Sequence, residues 1–121
     1  MVFIDYKEAR PIYEQIVERF KNLILKGVMA PDEKMPSVRN LAVELSINPN
    51  TIQRAYGELE RQGYIYSVKG KGNFVSENSY LRMKYKEEIL IQFRLVCRQA
   101  LEAGISREEL LASIEGGRLY D

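Results

Sequence analysis

The 121-residue sequence contains no histidine and only one cysteine, Cys97. Without histidine there is no Ser-His-Asp or Cys-His nucleophilic pair, and the common zinc ligand sets go with it. A lone cysteine cannot close an intramolecular disulfide, which leaves a reducing cytoplasm as the default compartment. Cys97 falls among Phe93, Val96 and Leu101 and reads as a buried, unreactive thiol. No apolar run approaches the roughly 18 residues of a membrane span, so no membrane partner is expected. The opening MVFIDYKEARP carries acidic residues and no apolar stretch ahead of a small-residue cleavage site, unlike a secretory signal. Asp32 and Glu33 are adjacent acids without a further ligand nearby. No metal, no cofactor and no enzymatic activity are expected.

What is present is a globular composition, 45% hydrophobic and 29% charged, at a length suited to one small domain plus an appendage. The net charge of +1 hides an uneven distribution. Between residues 34 and 72 the positive side chains are Lys34, Arg39, Arg54, Arg61, Lys69 and Lys71, against Glu44, Glu58 and Glu60. The flanking segments are slightly acidic. The basic excess is modest, but it coincides with the motif that follows.

Apolar residues recur at helical spacing over 11–26 (Ile12, Ile16, Val17, Phe20, Leu23, Ile24), with Pro11 suited to the first turn and Gly27 to the stop. A proline-containing loop leads to Ser37, an N-cap for a helix from about Val38 to Leu45. Ser46-Ile47 makes a turn. Asn48 caps the next helix, with Pro49 at its first position and Ile52, Ala55, Tyr56 and Leu59 as its inner stripe. Gly63 ends it. Residues 64–68 and 73–75 read as two strands around Lys69-Gly70-Lys71-Gly72. Three helices and a hairpin make a winged helix, so the fold class is α+β and mostly helical. After a linker at Glu77-Asn78-Ser79 comes one long helix, Tyr80 to about Ala103, and a short one opened by the capping box Ser106-Arg107-Glu108-Glu109. The domains are therefore 10–78, the winged helix, and 79–121, a small helical segment.

The second helix of a helix-turn-helix enters the DNA major groove and needs short or forked hydrogen-bonding side chains on its first turns. Asparagine and glutamine match adenine, arginine matches guanine, and the threonine methyl meets the thymine methyl. Asn50, Thr51, Gln53 and Arg54 supply that set, although Arg54 alone could instead pair with Glu58 at i+4. Arg39 sits early on the preceding helix, within reach of backbone or base. Lys69 and Lys71 lie on a glycine turn that can approach the neighbouring backbone. A winged helix serving only as a protein-interaction module is the alternative reading.

Taken together, Pro11-Ile12-Tyr13-Glu14-Gln15-Ile16, Met35-Pro36-Ser37-Val38-Arg39-Asn40-Leu41-Ala42, Asn48-Pro49-Asn50-Thr51 and Gly70-Lys71-Gly72-Asn73-Phe74-Val75 resemble the DNA-binding domain of GntR-family bacterial transcription regulators. The resemblance covers roughly residues 10–76. It implies a homodimer on a pseudo-palindromic double-stranded DNA operator, usually a repressor relieved by a small-molecule effector. The DNA-facing positions it implies are Pro36, Ser37, Arg39, Asn48, Asn50, Thr51, Gln53, Arg54, Lys69, Gly70, Lys71 and Gly72. Pro49 and Gln53 stand where many members have guanine-reading arginines, a departure that points away from a guanine-centred operator. That version and the short tail look like the YtrA-type branch, which often lies beside ABC-transporter genes.

The tail itself shows two apolar stripes, one of Tyr85, Ile89, Phe93, Val96 and Ala100, the other of Leu90, Cys97 and Leu101. That band is wider than a lone surface helix needs. Two helices do not readily enclose a metabolite pocket, whereas a two-fold interface buries the same band twice. Tyr85, Ile89, Phe93, Val96, Ala100 and Leu101 are the expected dimerisation residues.

Overall fold

The computed structural model describes residues 3–116, as five helices and one hairpin. Helix α1 spans Ile12–Leu25, α2 Val38–Leu45 and α3 Pro49–Arg61; strands β1 (Ile65–Val68) and β2 (Gly72–Val75) follow, then α4 (Ser79–Glu102) and α5 (Arg107–Glu115). The chain forms two compact units that divide between Arg82 and Met83, inside α4.

The first unit is built on apolar stripes set by helical periodicity. Ile16, Phe20 and Ile24 of α1 meet Ile52, Ala55, Tyr56 and Leu59 of α3, with Leu41 of α2 and Ile65 and Val75 of the hairpin completing the core. Phe20 and Tyr56 cross edge to face, their centroids 5.8 Å apart, the arrangement the ring quadrupoles favour. The Tyr56 hydroxyl donates to the Pro36 carbonyl at 2.7 Å, which fixes the chain as it enters α2. Burial raises the Tyr56 pKa well above that of a free phenol, so it remains a donor.

Both predicted caps of the helix-turn-helix form. Ser37 Oγ accepts from the Asn40 amide at 3.0 Å, and Asn48 Oδ1 accepts from the Asn50 amide at 2.8 Å. Between the helices Ser46 adopts a left-handed conformation (φ 56°), which ends α2 and redirects the chain within two residues.

The hairpin pairs antiparallel in the register Ile65↔Val75 to Val68↔Gly72. Its other edge is not bare. The Met35 amide donates to the Asn73 carbonyl at 2.8 Å, the Val75 amide to Glu33 at 2.9 Å, and Lys34 bridges to Phe74. The loop read from its prolines as irregular thus supplies an edge segment that anchors the wing to the body of the domain.

Three further tethers carry no sequence signal. Gln15 is buried, and its side chain bonds the Asp5 amide (3.0 Å) and the Asp5 and Arg10 carbonyls (3.1 and 3.2 Å), holding the segment before α1. Arg10 pairs with both Glu8 and Glu18, which raises its already high pKa. Asn78, expected in a linker, is buried; its side chain donates to the Ser76 carbonyl and its own carbonyl accepts from the Arg82 amide. Helix α4 begins directly after it.

The second unit consists of the rest of α4 and α5. Gly104 (φ 92°) breaks the helix, and Ser106 Oγ accepts from the Glu109 amide at 3.1 Å to start α5. Among its described residues no side chain is buried.

Candidate nucleic-acid interface

Helix α3 divides along its length into two faces. Its apolar stripe is sealed in the core, while Asn50, Gln53 and Arg54 on its first two turns are exposed and Thr51 is half-buried beside them. This division follows from spacing: Ile52, Ala55, Tyr56 and Leu59 share one side of a 3.6-residue helix, which leaves the polar positions outside. Pro49 opens the helix, so its missing amide leaves no orphan donor.

Arg54 does not pair with Glu58. The Glu58 carboxylate is taken by Arg61, whose Nε lies 2.6 Å from Oε1 and whose second nitrogen reaches Oε2 at 2.7 Å. Those hydrogen bonds, with a further one from Gln62, hold the Glu58 pKa down at about 2. The Arg54 guanidinium lies instead over the Tyr13 ring of α1, 3.8 Å from its centroid. A cleft of about 390 Å³ opens there, lined by Pro11, Ile12, Tyr13, Asn50, Thr51 and Arg54.

The other candidates sit around α3. Arg39 is exposed near the start of α2. Pro36 is half-buried and its carbonyl is engaged by Tyr56; Ser37 and Asn48 remain exposed, with their side-chain oxygens committed to capping. Lys69 and Lys71 are exposed at the hairpin tip, where Gly70 and Gly72 carry φ of 78° and 114°. Side chains avoid those angles, and a Cβ on Gly72 would also meet Lys34 Cε at 3.3 Å.

Side chains that sequence alone gives no role at this tip stiffen it. Tyr66 and Phe74 stack across the strands with centroids 5.7 Å apart, and the Tyr66 hydroxyl donates to Asp32 at 2.7 Å. Ser67 Oγ donates to Asn73 Oδ1 at 2.8 Å. Cross-strand position could have suggested the Tyr66–Phe74 pair; nothing local in the sequence marks Asp32 as its partner. Chemically, the ensemble presents forked donors and acceptors on a helix beside two cations on a stiff loop, a set that can bind base edges and phosphates together.

In the second unit Ile89, Phe93, Val96 and Leu101 are exposed, and Tyr85 and Ala100 half-buried. Cys97 is half-buried as well, not sealed in a core as its neighbours in sequence suggested. A groove of about 370 Å³ lies between α4 and α5, lined by Phe93, Val96, Cys97, Leu110, Ser113 and Ile114. This space is an open groove with a mainly apolar lining. Among the described residues no cluster of acids and cysteine could hold a metal ion, and no helix is long and apolar enough to cross a membrane.

Residues 12–75 match the model of the bacterial regulatory proteins of the gntR family. Over 130 aligned positions the chain is 39% identical to the HTH-type transcriptional repressor YtrA of Bacillus subtilis, and the match covers the whole of both chains. A transcriptional regulator from Oenococcus oeni superposes with a TM-score of 0.73 at 30% identity, covering 93% of this chain and 95% of the other. The DNA-binding domain of AraR, solved in complex with operator ORE1, matches with a TM-score of 0.54 at 33% identity over 63% of this chain and 93% of that domain.

Proposed function

Since this chain belongs to the GntR family of bacterial regulatory proteins and is a DNA-binding regulator of transcription, we propose that it acts as a homodimeric repressor on a two-fold operator. The observation that carries this reading is that one compact unit carries both the exposed polar start of α3 and an exposed lysine-tipped hairpin. Asn50, Thr51, Gln53 and Arg54 read base edges in the major groove. Lys69 and Lys71 hold the adjacent backbone, with Arg39 as a further contact. Ser37 and Asn48 act by capping, which fixes where α2 and α3 begin and so aims the readers. The AraR domain bound to its operator supports DNA as the partner, and the full-length likeness to a repressor supports repression over activation.

The second copy docks through α4 and α5 in this reading. Ile89, Phe93, Val96 and Leu101 expose apolar area that no described residue of the same chain covers, and an isologous contact would remove it from water twice over. Apolar side chains of the partner fill the groove beside Phe93, so an effector acting there would compete with the dimer. In this reading the protein acts in the cytoplasm, on the ABC-transporter operon that its resemblance to the YtrA-type branch implies. The activity is binding, with no catalytic step.

Selection from a pool of randomised duplexes tests the operator claim. The full-length protein should enrich an inverted repeat whose half-sites lie about one helical turn, ~34 Å, apart, with two protomers per duplex. Enrichment of a single unrepeated site bound by one protomer would contradict it.

A further inference from the structure

We propose that Tyr13 is a positioning residue that sets base preference by holding Arg54, an inference that rests on the reading of α3 given above. Arg54 stands on the exposed side of α3, yet its guanidinium is in contact with the Tyr13 ring, 3.8 Å from the centroid. Glu58, the i+4 carboxylate, is bound to Arg61 and does not neutralise it. Arg54 is thus a cation held by a ring and not by an anion.

That difference has a chemical consequence. A carboxylate would occupy the in-plane N–H donors of the guanidinium and would have to be displaced before the fork could meet a base. An aromatic ring attracts the cation through its face and takes none of those donors. The fork stays available for a bidentate contact while the long side chain is already confined, so less conformational freedom is lost on binding. Tyr13 itself is well placed to be a fixed platform: it lies on the first turn of α1, is half-buried, and shares with Asn50 and Thr51 the open cleft of about 390 Å³ beside the guanidinium. The ring belongs to α1 and the cation to α3, so the contact links the packing of these helices to the aim of a reading residue.

The test uses the full-length protein and a duplex that it has selected from a randomised pool, together with all single-base variants of one half-site. Arg54→Ala should flatten preference at one base pair. Tyr13→Leu, which keeps an apolar side chain but removes the ring face, should weaken preference at that same pair by about 2- to 5-fold, the range expected of an exposed cation–π contact. Tyr13→Phe, which keeps the face and removes only the hydroxyl, should leave it unchanged. In the Arg54→Ala background Tyr13→Leu should have no further effect on preference. A merely structural role for Tyr13 would lower stability and affinity evenly across all sites; Tyr13→Met repeats the comparison should the leucine variant not fold. Preference lost in Arg54→Ala but intact in Tyr13→Leu and Tyr13→Met would overturn the positioning role. Unaltered preference in Arg54→Ala would instead remove Arg54 from the readers, and the inference with it.

Discussion

Replacing Phe93 and Val96 together by glutamate is expected to turn the proposed dimer into monomers and to lower affinity for a complete operator by about 100-fold or more. The two side chains are 45% and 59% exposed in the single chain, so the substitution should leave each protomer folded. In a two-fold interface, however, it would place four carboxylates in an apolar contact. Desolvating them costs several kcal/mol apiece, and like charges across the axis repel. The proposed dimer would present its second recognition helix at a high local concentration once the first is bound, and the monomer would lose that advantage entirely. Sedimentation should show a single 14.1 kDa species. Binding to an isolated half-site should stay within about two-fold of the unmodified protein, since nothing in the first unit has changed. A double variant that still sediments as a tight dimer would remove α4 and α5 from the interface.

The wing supplies the second large effect. With Lys69 and Lys71 both replaced by alanine, affinity should fall by about 100-fold or more near 0.1 M salt, and by nearly the same factor for every sequence tested. In the proposed dimer four lysines are lost. If each neutralises one phosphate, the slope of log affinity against log salt becomes shallower by about 3 to 4. The hairpin should survive the change, because its geometry rests on Gly70 and Gly72 in the left-handed region and on the Tyr66–Phe74 stack, not on the lysines. An unchanged salt slope would mean that the tip does not touch the backbone.

The helices of this protein were legible because each carries local punctuation. Pro11, Ser37, Asn48 and Ser106 mark starts, Gly63 and Gly104 mark ends, and the apolar spacing of α1 and α3 names the core between them. The polar face of α3 followed by subtraction. What the sequence did not reveal is every contact that joins residues far apart in the chain. Glu33 and Met35 pair with β2 although prolines flank their loop, since only backbone amides and carbonyls are involved and no side-chain pattern reports them. Gln15 is polar and yet buried, because three backbone groups of the preceding segment satisfy it. Arg54 had two partners within plausible reach. The i+4 rule favoured Glu58, but Arg61 took that carboxylate and left Arg54 to a ring on another helix. Local rules give the pieces; competition among partners across the fold decides their use.

The central claim is a division of labour, with α3 reading sequence and the wing gripping backbone. Its most direct test is the base-preference profile of Gln53→Ala, measured on the selected duplex and its single-base variants beside Lys71→Ala. Gln53→Ala should lose about 1–3 kcal/mol of discrimination at one base pair in each half-site and keep its affinity for unrelated DNA, while Lys71→Ala weakens all duplexes alike. A Gln53→Ala profile that falls evenly at every position, with Lys71→Ala altering preference at one of them, would contradict the account.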